Sequence, residues 1–198
     1  MNRFKSAAII GFGSIGKRHA KILEDLKVFK EIFIVSKQNI KTKYKKLSSI
    51  KDLKNLKPDY FIICSDTHSH LKDLKYLDKN FNNKIILVEK PLFNRFSKFS
   101  PKNNKVYVSY NFRFHPVINF IKKFCDKKKV IYVYSFCGSY LPDWRKNINY
   151  KKSYSASNKR GGGVLLDLSH EFDYIIWIFG ELKINSVFHK RISNLEIN

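Results

Sequence analysis

The chain has 198 residues, 43% of them hydrophobic and 15% aromatic, enough to fill the core of one ordinary domain or of a large one with a small partner. No apolar run approaches the length of a membrane span, no signal-peptide pattern opens the chain, and the three cysteines, Cys64, Cys125 and Cys137, lack metal-type spacing. An odd number of cysteines reads as buried or idle thiols in a reducing compartment, hence a cytoplasmic protein with no metal. The formal net charge of +23 admits two readings, a nucleic-acid binder or a lysine-rich composition spread over solvated faces. The basic residues are scattered, with short clusters near Lys45 and Lys128 and no arginine-rich helix, which favours solvated faces and no nucleic-acid partner. The same field draws in anionic ligands, phosphorylated cofactors and nucleotide sugars among them.

In chain order, residues 6–10 form an apolar strand, and residues 14–26 carry a helical pattern with Ile15, Ile22, Leu23 and Leu26 as its expected core stripe. Residues 31–35 are a second buried strand. Residues 44–56, with apolar positions at Leu47, Ile50, Leu53 and Leu56, predict one or two short helices ended by Pro58. Strands at 60–64, 84–88 and 105–110 follow; between the first two come a loop at 65–68 and an amphipathic helix to about Asn80. Strands alternating with helices predict a parallel sheet covered on both faces, closing near Asn111. Beyond it come a helix at 116–126, a long strand at 129–139 and a polar, aromatic loop at 140–160. A helix opened by Gly161-Gly162-Gly163 then runs to Phe179, and a last strand covers 183–191.

Gly11-Phe12-Gly13-Ser14-Ile15-Gly16 joins the first strand to the first helix. Such a turn cradles a pyrophosphate: Gly11 allows the tight bend, Gly13 lets a phosphate near the backbone, and Gly16 lets the helix pack closely. Glycines also end strands for structural reasons alone, but here a strand precedes the motif and a helix follows. Lys90 stands just after the fourth of these strands, at the sheet end where ligands of open α/β sheets bind. Its ammonium suits a substrate hydroxyl that develops alkoxide character. His170 can take a hydroxyl proton, and Asp167, three residues earlier on the same expected helix, can orient its ring.

Four motifs in order then resemble the Gfo/Idh/MocA oxidoreductases: Gly-Phe-Gly-Ser-Ile-Gly-Lys-Arg-His at 11–19, Glu89-Lys90-Pro91, the segment Tyr110–Pro116, and the segment Gly161–Asp173. The resemblance implies a Rossmann doubly wound parallel sheet at 1–111 that binds the dinucleotide. At 112–198 it implies an incomplete α+β substrate and oligomerisation domain with an open, mostly antiparallel sheet. Members of the family are longer, so the second domain is expected to be truncated here, and the family's outer sheet face implies a homo-oligomer.

The resemblance also implies hydride transfer between a nicotinamide cofactor and a sugar, cyclitol or nucleotide sugar. The alternative is a truncated, non-catalytic dinucleotide-binding protein acting with or through a partner. The implied catalytic residues are Lys90, His170 and Asp167, although the spacing from Asp167 to His170 is one residue shorter than usual in the family. A cis peptide bond before Pro91 is implied as well. The cofactor residues are Gly11, Gly13, Ser14, Ile15, Gly16, Ser36, Lys37, Ser65, Asp66, Thr67, His70, Glu89, Lys90 and Arg113. For Glu89 a local salt bridge, and for Arg113 an ion pair, are equally good readings. Trp144, Arg145, Tyr150 and Tyr154 suit a sugar face or its hydroxyls, or simply anchor their loop; the substrate set is Lys90, Trp144, Tyr150, Asp167 and His170. Ser36-Lys37 stands where NAD sites place a carboxylate, which favours NADP over NAD.

Overall fold

The computed structural model describes residues 4–126, 128–144, 149–191 and 193–197. The chain divides into two compact units, Met1–Ser109 and Tyr110–Asn198, each described by itself.

The first unit is a six-stranded, all-parallel sheet. In chain order its elements are β1 (Ser6–Ile10), α1 (Ser14–Leu26), β2 (Glu31–Val35), β3 (Lys45–Leu47), a 3-10 turn (Ile50–Asp52), α2 (Leu53–Leu56), β4 (Tyr60–Ile63), α3 (Thr67–Asn80), β5 (Ile85–Val88) and β6 (Lys105–Val108). The strand order is β3-β2-β1-β4-β5-β6, the doubly wound order of a dinucleotide-binding sheet. Successive side chains of a strand point to opposite faces, and the central strands fill both. Ala8, Ile10, Phe33, Val35, Phe61, Ile63, Ile86 and Val88 pack with Leu74 and Leu77 of α3 and Leu53 of α2. Ala7, Ile9, Ile34 and Ile62 pack on the other face with Ala20 and Leu23 of α1. Strands buried on both sides read as unbroken apolar runs, which is why these segments were recognisable as strands.

Two expectations are corrected here. The buried positions of α1 are Gly16, Ala20 and Leu23, whereas Ile15, Ile22 and Leu26 are 36%, 42% and 60% exposed. The helix approaches the sheet too closely for large residues at its first contact, so small residues define the packed stripe. Residues 45–47, expected in a helix, form the edge strand β3, whose partners are Phe33, Ile34 and Val35.

Asp78, on α3, fastens the loop that leads into β6. It is 5% exposed and accepts hydrogen bonds from the amides of Lys102 (2.9 Å) and Asn103 (3.1 Å) and from Asn104 Nδ2 (3.1 Å). Burial by itself would push this carboxyl up, but the donors outweigh it and hold it below its ordinary value. A depressed folded value gives stability that is present above the unfolded value, near pH 4, and is lost as pH falls through the folded one. Asp78→Ala leaves three donors unmatched and is expected to cost about 2–4 kcal/mol at pH 7. Denaturant midpoints at pH 7 and pH 3 check this; the gap between wild type and variant should shrink in acid.

The second unit holds a 3-10 turn (Asn111–Phe114), α4 (Pro116–Cys125), four further 3-10 turns between Leu141 and Arg160, α5 (Val164–Asp167) and α6 (Ser169–Phe179). Proline in the first turn of α4 suits a position whose N–H has no helical partner, and His115 Nδ1 accepts from the Val117 amide at 3.3 Å. Lys122 ties α4 to α6 by donating to the Trp177 carbonyl at 2.6 Å while lying over its ring. The helix expected from the glycine run to Phe179 is two helices. Leu168 leaves helical geometry (φ −99°, ψ 20°), and its amide folds back on the Val164 and Leu166 carbonyls. The expected strands at 129–139 and 183–191 form no strand ladder among the described residues. Their Val-, Tyr- and Phe-rich composition fits a strand, but a strand exists only through a paired backbone neighbour.

Candidate functional site

The ends of four strands of the first unit lie level. Ile10 pairs with Val35 and Ile63, and Ile63 with Val88. The ladder runs one residue further at Gly11 N to Val35 O (2.9 Å), Cys64 N to Ile10 O (2.7 Å) and Glu89 N to Ile63 O (2.9 Å). The residues singled out from the first half of the sequence follow these ends, on the loops after β1, β2, β4 and β5 or in the first turns of α1 and α3.

The three motif glycines have three different reasons to be glycine. Gly11 has φ +92°, and a Cβ there would lie 2.5 Å from the Cys64 carbonyl oxygen. A Cβ on Gly16 would lie 2.2 Å from the Gly11 carbonyl oxygen, so Gly16 packs against the turn itself. A Cβ on Gly13 would meet nothing within 4 Å. Gly13 is the N-cap of α1 with no side chain to cap the helix, and no acidic residue sits in its first turn. Ser14 and Ile15 are exposed there. An open approach to uncapped helical amides is what an anionic group needs.

After β2, Ser36 is buried and its hydroxyl accepts from the Gln38 amide at 3.2 Å, whereas Lys37 is exposed. After β4, Ser65 donates its hydroxyl to Asp73 at 2.7 Å, Asp66 is the N-cap residue of α3, and Thr67 is buried. Burial raises the Asp73 carboxyl above its ordinary value, against the opposing pull of the Ser65 hydroxyl and of His70, Lys72 and His68. His70 was expected to touch cofactor, but it is 1% exposed and both its ring nitrogens meet backbone carbonyls, Pro91 O at 3.1 Å and Ser65 O at 2.8 Å. No ring nitrogen is left for a ligand. After β5, Glu89 takes the salt-bridge geometry, with His19 Nε2 at 2.6 Å. Lys90 is partly buried, and the Lys90–Pro91 bond is cis.

Two partners escaped the sequence reading: His19, although it stood inside a quoted motif, and Asp73. Cys64 is buried, and burial followed by the nearby Glu89 pushes its thiol well up, so it is inert packing. Cys137, expected to be buried or idle, is exposed.

In the second unit, Arg113 grips Asp173 with two hydrogen bonds, Nε to Oδ2 at 2.8 Å and Nη2 to Oδ1 at 2.6 Å. That pairing raises the guanidinium further. Asp167 is buried and accepts from the Tyr154 hydroxyl at 2.8 Å. His170 lies on α6, with its Nε2 3.2 Å from Glu171 Oε1 and its ring edge-on to Phe112 at 4.8 Å. Since Leu168 separates α5 from α6, Asp167 and His170 lie on two successive helices rather than on one continuous helix. Trp144 hydrogen-bonds Ser139 through its indole nitrogen, and Tyr150 lies in a 3-10 turn. Arg145 lies outside the described residues. Among the described residues no three metal-ligating side chains cluster, and no helix is long and apolar enough to cross a membrane.

No protein-family model matches the chain. Over 140 residues it is 27% identical to levoglucosan dehydrogenase of Pseudarthrobacter phenanthrenivorans, covering 66% of this chain and 36% of that protein. The WlbA dehydrogenase of Chromobacterium violaceum, solved in complex with NADH and UDP-GlcNAcA, superposes with a TM-score of 0.72 at 16% identity, over 91% of this chain and 56% of that one. Myo-inositol 2-dehydrogenase of Lactobacillus plantarum gives 0.73 at 22% identity, over 89% and 56%. The chain spans about a third of the length of the curated relative and just over half of each solved chain. It has the fold of the WlbA and myo-inositol 2-dehydrogenases.

Proposed function

We propose that the chain is an NAD(P)-dependent oxidoreductase acting on a sugar, cyclitol or nucleotide sugar. The observation that carries this is the open face at Gly13, bordered by two glycines that backbone contacts force, at the level edge of four strand ends. The cradle fits a dinucleotide: amides of the first turn of α1 would hold the pyrophosphate, and the loop after β2 the adenosine ribose. A bound nicotinamide would supply hydride acceptance or donation at its ring. Lys90 binds the reacting hydroxyl and stabilises the charge it develops. On the second unit, His170 has Glu171 beside its ring and is that unit's candidate proton acceptor. The substrate class rests on the dehydrogenase relatives named above, one of them solved with a nucleotide sugar.

The test follows cofactor absorbance across a panel of sugars, cyclitols and nucleotide sugars, alongside cofactor titration. Turnover on any of them supports the reading. Tight dinucleotide binding without turnover leaves a dinucleotide holder, and no binding removes both.

Within this reading the cofactor is NADP, because exposed Lys37 stands where a carboxylate would repel a 2′-phosphate. Lys37→Ala is expected to weaken NADP roughly five- to tenfold while leaving NAD unchanged. Dissociation constants for both, measured at one ionic strength, check this; tighter NAD binding by the wild type overturns it.

A further inference from the structure

The residues on either side of Lys90 are held from two directions. Glu89 is paired with His19 of α1 at 2.6 Å, with side chains only 12% and 15% exposed. The Pro91 carbonyl meets Nδ1 of His70, on α3, at 3.1 Å. The two helices belong to opposite layers, since α1 packs on the face carrying Ile9 and Ile62 and α3 on the face carrying Ile10 and Ile63. His70 also reaches Ser65 O at 2.8 Å, so one ring joins the loops after β4 and β5.

We propose that His19 and His70 are positioning residues that clamp the Glu89–Lys90–Pro91 segment from the two helix layers. The His70 ring places one nitrogen at the Pro91 carbonyl and the other at the Ser65 carbonyl, in a buried place where an unsatisfied acceptor is costly. On the other side, the Glu89 carboxylate receives the His19 ring. A flexible lysine whose two neighbours are both fixed loses much of its freedom to wander, which is what a group that must meet one hydroxyl requires.

The proposal rests on the reading that Lys90 serves the reaction, but its test does not. Hydrogen exchange should accelerate roughly tenfold at the Glu89 amide in His70→Phe and in His19→Gln, while amides of β1 keep wild-type rates. Unchanged exchange at Glu89 in both variants overturns the clamp. Should His70→Phe fail to fold, His19→Gln still decides. Turnover is read separately. A wild type that never turns over rejects the enzymatic role of Lys90 and leaves the clamp standing or falling on the exchange data.

Discussion

Gly11→Ala and Gly16→Ala are expected to cripple the first unit, whereas Gly13→Ala is expected to fold normally and lose dinucleotide binding. At Gly11 the methyl group meets two penalties: a left-handed backbone at φ +92° and a carbonyl oxygen 2.5 Å away. The first costs about 1–2 kcal/mol and the overlap about 1–3 kcal/mol more. At Gly16 the overlap is with the backbone of the turn at 2.2 Å, and neither side is a flexible side chain that could swing away. Losses of this size are a large share of a domain's stability, and melting temperature should fall by roughly 10 °C or more in each variant. Gly13 has φ −74° and open space around its Cβ direction, so alanine is tolerated by the fold. A methyl group there occupies the approach to the helix amides, and affinity should drop roughly tenfold or more. Circular dichroism melts and cofactor titrations on the three variants check the contrast. A Gly13→Ala protein with wild-type affinity would mean that no phosphate approaches this turn.

Burial on both faces made the central strands legible, because β1, β2 and β4 read as apolar runs bounded by polar residues. The edge strand β3 was not legible: Lys45-Lys46-Leu47 is short and polar, and only its pairing with Phe33, Ile34 and Val35 makes it a strand. The face of α1 was misread because large apolar residues drew attention from Gly16 and Ala20, which pack closely by being small. The break at Leu168 carries no proline or glycine to announce it. Sequence composition likewise overstated residues 129–139 and 183–191, since strand propensity is local and strand pairing is not. At the site, the glycine turn and Glu89-Lys90-Pro91 were readable because their chemistry lies in adjacent residues. The pairs His19–Glu89 and His70–Pro91 were not, because they join residues 70 and 21 positions apart that only the folded sheet brings together.

Lys90→Ala is expected to lower kcat by roughly 10²–10⁴-fold while leaving the cofactor dissociation constant within about twofold of wild type. The split follows from position. The cradle lies on the loop after β1, and Lys90 on the loop after β5, two strands away in the sheet order β1-β4-β5. Removing the ammonium therefore leaves the cradle after β1 in place and, on the proposed reading, takes away the group that steadies a hydroxyl as it loses its proton. Such an interaction grows as charge develops, so the loss should fall on kcat more than on KM. Lys90→Arg keeps the charge but spreads it over a planar fork, and a partial return of activity would show that position as well as charge matters. His170→Ala, on the second unit, should also lower kcat. A Lys90→Ala enzyme with full turnover would remove this lysine from the chemistry, and equal losses in turnover and cofactor affinity would make it a cofactor-binding residue instead.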